Sequence, residues 1–307
     1  MDDEGLARLL RWTQEGIVAR RQLTSLGATH GDIERMTRRR ELTRIHRGVF
    51  ANHTGPLSWD QRAWAAVLAL EPAALCFRSA MPGGPRTGPV HVAVTAQRST
   101  PRYAGVVVHR MADLGHRVNW NGEPPCVWPA HATLDVAARA ADEAEAFTAI
   151  ATAIQTREVW PDSLRQALEG RPRIARRRLL SALIDDVATG QHSVLERGFA
   201  ALERRHGLPQ SQRQVVAVGP DGTIHRDVVY PSQGIVVELD GRAFHSSTQA
   251  RDHDAARDLK AAADGMVPVR LTYGQVFRDG CRTAANLATL LRRRGWSGVQ
   301  TRCPNCS

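Results

Sequence analysis

The sequence predicts a multidomain α/β protein with three parts. These are a small N-terminal helical domain closed by a β-ribbon, a middle α/β region, and a C-terminal α/β core ordered helix, three strands, helix, strand, helix. Two changes of hydrophobic period carry the prediction. Helical spacing gives way to alternation at Leu42–Phe50, and in the last third β-branched runs such as Ile235–Asp240 alternate with helical patterns. A third observation is size: 307 residues give ample chain for two or three cores. Hydrophobic content of 42% with 23% charged residues reads as soluble and globular. No apolar run approaches the roughly 20 residues of a membrane span, so a membrane partner is not expected. The opening MDDEGLARLL is acidic and lacks the order of a signal peptide, which places the chain in the cytoplasm.

Leu6, Leu9, Leu10 and Ile17 have helical spacing, interrupted at Gly16, and Arg20-Arg21-Gln22-Leu23 follows up to a break at Gly27. A third helix is predicted over Gly31–Arg40, with Ile33 and Met36 inward and Arg35, Arg38, Arg39 and Arg40 outward. Leu42–Phe50, LTRIHRGVF, then alternates like a short hairpin. Three short helices followed by a ribbon is the winged helix-turn-helix order. In that order the third helix enters the major groove, and Arg44, His46 and Arg47 lie near the DNA backbone. The competing reading is a small helical domain with a solvated arginine face. A net charge of +10 favours a polyanionic partner, nucleic acid first and duplex DNA most of all. Lys260 is the only lysine, and arginine forks suit phosphate and guanine. A codon preference explains the arginine bias equally well, but not the excess of charge. The segments GIVARRQL and ELTRIHRGVFA resemble the N-terminal winged-helix domain of AbiEi-type antitoxins, over roughly the first fifty residues. That resemblance implies a DNA-binding transcriptional repressor and leaves any partner toxin open.

The middle region is less informative. Trp59–Leu70 reads as an amphipathic or buried helix, Val90–Thr95 and Gly105–His109 as strands, and Ala130–Ala153 and Pro161–Asp186 as helices. His91, His109, His116 and His131 have no ligand spacing.

The last third opens with a helix over His192–His206, where Ser193 and Glu196 match a capping box. Val215–Val218 is a strand, Pro220-Asp221-Gly222 a turn, and Ile224–Tyr230 a second strand with Asp227 in its middle. Pro231–Gly234 supplies a tight turn into Ile235–Asp240. On this third strand Ile235, Val237 and Leu239 share one face, leaving Glu238 and Asp240 on the other. Several carboxylates on one sheet surface repel unless a cation, a proton or strong donors offset them. Asp227, Glu238 and Asp240 therefore read as a divalent-metal site, just before His245. A helix over Gln249–Asp264 puts Asp254, Arg257 and Asp258 on one face. A strand at Val267–Leu271 and a helix towards Arg292-Arg293-Arg294 complete the core.

The five cysteines, Cys76, Cys126, Cys281, Cys303 and Cys306, do not form a disulfide framework. Cys303-Pro-Asn-Cys306 has the spacing of half a zinc knuckle, but a structural zinc wants four ligands and no second pair is near in sequence. The tail is expected to be loose. The boundaries that follow are 1–55, 56–190, 191–298 and a flexible tail over 299–307.

The motifs SVLERGF, RDVVYP, VVELDGRAFH, DAARDL and VPVRLT, in that order, resemble the PD-(D/E)XK nuclease core. They are most similar to the domain family related to very-short-patch-repair endonucleases, over roughly residues 190 to 295. The resemblance implies an endonuclease using Mg²⁺ or Mn²⁺. Asp227 and Glu238 would be metal ligands, Asp240 a further acid, Glu196 the acid of the first helix, and His245 a proton-transfer group. Asp254 and Arg257 match the acid and arginine of the following helix. One departure matters: Asp240 stands where the usual motif has lysine, which orients the attacking water. Lys260 would have to reach in from the helix to replace it. The alternatives are a DNA-binding regulator whose nuclease core has lost turnover, and a purely structural or partner-binding protein.

Overall fold

The computed structural model describes residues 14–189, 193–219, 222–240, 248–303 and 306. For 193, 217–219, 222–225 and 248–254 it describes the backbone alone. The chain is a mixed α/β protein that divides into two compact units, Met1–Val136 and Ala137–Ser307. The boundary falls inside the stretch read as a middle region, whose strands belong to the first unit and whose later helices belong to the second.

The first unit begins with β1 (Ile17–Ala19), α1 (Arg20–Ser25), α2 (His30–Arg38), β2 (Thr43–His46) and β3 (Val49–Ala51), the strands forming an antiparallel sheet ordered β1-β3-β2. Ile17 is thus not the end of a helix: it pairs with Ala51 and is fully buried. Leu6, Leu9 and Leu10 lie outside the described residues. Val18, Leu23, Ile33, Met36, Leu42 and Phe50 make one core, so the helical spacing of Ile33 and Met36 points inward as expected.

Thr29 and Asp32 cap α2 reciprocally. Asp32 N–H donates to Thr29 Oγ1 (3.2 Å), and Thr29 N–H and Oγ1 donate to Asp32 Oδ2 (3.0 and 2.6 Å). These Thr29 donors, hydroxyl first, hold the Asp32 carboxyl down at about 2. At the other end Arg40 N–H donates to Thr37 O (3.1 Å) and Glu41 N–H to Met36 O (3.0 Å), the Schellman pattern. The residue at the left-handed position is Arg40, at φ 62°, where glycine is the usual occupant. A left-handed conformation costs a non-glycine residue about 1–2 kcal/mol. Arg40→Gly is expected to stabilise the first unit by about 1 kcal/mol in urea unfolding. An unchanged or lower midpoint would mean that the arginine side chain compensates its own strain.

Beyond the ribbon, α3 (Trp59–Ala69) packs on two sides. Ala63, Ala66 and Val67 join the core of a second sheet, and Trp64, Ala65 and Leu68 pack on β1 and β3. The second sheet contains β4 (Ala74–Leu75), β5 (Val90–Thr95) and β6 (Val106–Met111). After α4 (Leu114–Arg117) it adds β7 (Val118–Asn119) and β8 (Cys126–Val127), in the order β6-β5-β4-β8-β7. Helix α5 (Pro129–Ala138) follows.

In the second unit α6 (Glu143–Gln155) and α7 (Pro161–Glu169) pack on α8 (Arg177–Thr189). Next come α9 (Ser193–His206), β9 (Gln212–Gly219), β10 (Gly222–Tyr230), β11 (Ile235–Asp240), α10 (Thr248–Ala263), β12 (Val267–Thr272) and α11 (Gly280–Arg293). The expected order of elements is therefore present. The sheet runs β12-β11-β10-β9, with β9, β10 and β11 antiparallel and β12 parallel to β11. Gly234, at φ 58°, closes the Pro231–Gln233 turn between β10 and β11. The turn expected at Pro220-Asp221 lies outside the described residues.

The tail departs from expectation. Thr301 N–H donates to His206 O and Cys306 N–H to Cys303 O, each at 2.9 Å, and Cys303 is buried. Residues 301–303 and 306 are held against α9 rather than loose.

Candidate functional site

The face of β11 carrying Ile235, Val237 and Leu239 is fully buried, while Glu238 and Asp240 on the opposite face are half-buried. β10 pairs with β11 through Val228–Val237, Val229–Val236 and Tyr230–Ile235. Beyond these pairs the Leu239 N–H donates to the Asp227 side chain, Oδ2 at 2.9 Å. The Asp227 carboxylate is thereby anchored at the level of Glu238 and Leu239. On its other side the β9 ladder skips one position between Arg226–Val215 and Val228–Arg213 without a change of register, where Gln214 has φ 49°.

The carboxyl of Glu238 is raised above the ordinary glutamate value, first by burial and next by the charge of Asp227, against the opposing pull of Arg257 and Arg270. Asp227 and Glu238 are therefore close enough for the charge of one to be felt at the other. Across them α10 contributes Arg257, Asp258 and Lys260, which with Glu238 and Arg226 line a cavity of about 20 Å³. That volume holds about one water. Arg270, level with Glu238 on β12, is committed to Asp258 by two hydrogen bonds of 2.9 Å. Lys260, the only lysine, thus faces the same small space as Glu238.

At the start of α9 Asp186 Oδ2 accepts from Val194 N–H at 2.9 Å, and the side chain of Ser193, the other half of the expected capping box, lies outside the described residues. Glu196 Oε1 accepts from Gln214 Nε2 at 2.6 Å, which ties it to the position opposite Asp227. Asp240 lies level with Thr272 on β12. His245 and the side chain of Asp254 lie outside the described residues. Among the described residues, Asp227, Glu238 and Asp240 do not form a three-ligand cluster; the group that does is His206, Cys281, Cys303 and Cys306. Burial pushes the Cys281 thiol up to about 12, with Cys303 and Cys306 adding to the shift.

In the first unit Arg35, Arg38, Arg39, Arg40, Arg44 and Arg47 are all exposed. Arg35 is paired with Asp32 at 2.5 Å. Arg44 and Arg47 line a groove of about 660 Å³ whose wall also carries Arg62, Arg102 and Tyr103. Sequence reasoning missed Arg62 and Arg102, which come from a helix and a loop far from the ribbon. It also missed that His91 and His109 meet, Nδ1 to Nε2 at 2.9 Å, with Phe77 stacked on His109 at 4.0 Å between centroids. Parallel pairing of β5 and β6 brings them together.

No protein-family model matches the chain, and no curated protein matches it. No helix among the described residues is long and apolar enough to cross a membrane.

Proposed function

We propose that the protein is a divalent-metal-dependent endonuclease acting on duplex DNA, with a PD-(D/E)XK-like core in the second unit and a winged-helix domain in the first. The observation that carries this reading is the charge of Asp227 acting on Glu238 from the adjoining strand, with Glu238 facing the cations of α10. A half-buried carboxylate whose proton affinity is raised by burial and by a neighbouring carboxylate suits a hard cation such as Mg²⁺ or Mn²⁺. Asp227 and Glu238 would hold it, with Asp240 beside them. Bound there, such an ion lowers the pKa of a coordinated water and offsets charge on the phosphoryl oxygens. Arg257 clamps a phosphate oxygen. Lys260 orients the attacking water in place of the lysine absent at position 240, and His245 moves a proton. The exposed arginines of α2 and the ribbon supply phosphate contacts and groove readout.

A second reading, a DNA-binding regulator of the AbiEi kind with an inactive core, is favoured by Asp240 and by the absence of a three-carboxylate cluster among the described residues. Incubation with supercoiled plasmid separates the two. Nicking or linearisation with Mg²⁺ or Mn²⁺ that EDTA stops supports the nuclease. Gel retardation without cleavage under either metal supports the regulator. Failure to retard DNA even at low salt, where phosphate contacts are strongest, removes both.

A further inference from the structure

We propose that His206, Cys281, Cys303 and Cys306 bind one structural Zn²⁺ ion that fastens the C-terminal segment to the second unit. The four ligand atoms all lie within 4.8 Å of one another. The Sγ atoms of Cys281 and Cys303 are 3.5 Å apart, those of Cys303 and Cys306 3.7 Å, and Cys306 Sγ is 3.8 Å from His206 Nδ1. Sulfurs about 2.3 Å from a tetrahedral zinc stand about 3.8 Å from each other. A disulfide would bring two of them to about 2.05 Å. These three separations match tetrahedron edges around a shared ion.

Each ligand has a reason to be where it is. His206 is the last residue of α9, whose carbonyl end favours a cation. Gly207 follows at φ 60°, and a Cβ there would stand 2.5 Å from Thr301 Oγ1, so glycine lets the tail pass against the helix end. Cys281 sits in the first turn of α11, where the helix favours a thiolate. Cys303 and Cys306 come from the tail with two residues between them, and both His206 and Cys303 are buried. Three thiolates and an imidazole form a soft donor set that selects zinc over Mg²⁺. Four protein ligands leave no open position, which makes the site structural rather than catalytic. Zinc binding releases the protons of its thiol ligands. The fastened tail places Gln300 and Arg302 on the wall of a cleft of about 830 Å³ that Arg205, Arg278 and Arg282 also line.

The test uses the full chain purified under reducing conditions. One zinc per chain is expected to survive dialysis, and Co²⁺ exchanged for it is expected to give thiolate charge-transfer bands with the strong visible absorption of a tetrahedral site. The double variant Cys303→Ser/Cys306→Ser should lose both signals, and trypsin should cut after Arg302 at least about tenfold faster, as expected when a tethered segment opens. Cys126→Ser, in the first unit, should keep the full Co²⁺ spectrum. A wild-type chain that holds no zinc overturns the proposal. So does a Co²⁺ spectrum without thiolate bands, or a disulfide among the three cysteines that persists in fresh reductant. If the double variant fails to fold, the wild-type Co²⁺ titration decides alone. No readout involves DNA cleavage, so failure here leaves the nuclease reading standing, and the reverse also holds.

Discussion

Glu238→Gln is expected to remove metal-dependent cleavage while making the metal-free protein more stable at neutral pH. Burial and the charge of Asp227 raise the Glu238 carboxyl in the folded chain. A carboxyl raised on folding contributes stability that is complete below its unfolded value and is lost as pH rises through the folded one. The ionised form of Glu238 is therefore one that the fold tolerates only at a cost. Glutamine keeps the shape and one acceptor oxygen but carries no charge to repel Asp227. The thermal midpoint of the variant should exceed that of the wild type in EDTA above the folded value, and the difference should shrink as pH falls towards 4. Added Mg²⁺ should raise the wild-type midpoint and leave the variant unmoved, because only the ionised pair attracts the ion. Cleavage should fall by about a thousandfold or more, equivalent to roughly 4 kcal/mol of barrier. A variant that cuts plasmid within tenfold of the wild type would take Glu238 out of the site. A variant less stable than the wild type in EDTA would mean that Arg257 and Arg270, and not Asp227, dominate its surroundings.

The cost carried at Glu238 is one reason its strand was legible in the sequence. Ile235–Asp240 alternates because one face must be buried, and acids survive on the other face only where something offsets them. The Pro231–Gly234 turn was legible for a similar reason: its backbone angles demand those residue types. What stayed hidden was decided by contacts distant in sequence. Ile17–Ala19 is too short to show a period, and only its pairing with Val49–Ala51 makes it a strand. Nothing in the spacing of Ser193 and Glu196 shows that Glu196 meets Gln214 on β9, or that Asp186 from the preceding helix accepts from Val194 N–H at the start of α9. His206 and Cys281 lie 75 residues apart and show no ligand spacing; only the packing of α9 on α11 brings them to the Cys303–Cys306 pair. Cys303-Pro-Asn-Cys306 supplied half of that signal, and the other half is tertiary.

The largest stability loss is expected from Glu203→Ala, at a residue that no motif marks. Glu203 projects from α9 and is only 6% exposed. Its Oε1 accepts from the hydroxyl of Tyr230 on β10, which is 1% exposed, and its Oε2 accepts from Arg213 on β9. The Arg213 guanidinium in turn lies over the Phe199 ring, 5.1 Å from its centroid. One carboxylate thus joins α9 to two adjacent strands of the sheet that carries Asp227. Removing it leaves a half-buried guanidinium and a buried hydroxyl without their acceptor, for which about 3–5 kcal/mol is expected. Tyr230→Phe removes one neutral donor and leaves the ion pair, so about 1–2 kcal/mol is expected. Burial, and then the charge of Glu203, push the Tyr230 hydroxyl above its ordinary value. Its contribution is complete below the unfolded tyrosine value of about 10 and is lost as pH rises beyond it. Urea unfolding at neutral pH and again above pH about 10 reads both effects. The Glu203→Ala midpoint should fall by more than twice the Tyr230→Phe shift, and the wild type should lose its margin over Tyr230→Phe at the higher pH. Equal shifts for the two variants would mean that Arg213 finds another acceptor and that the sheet does not depend on this carboxylate.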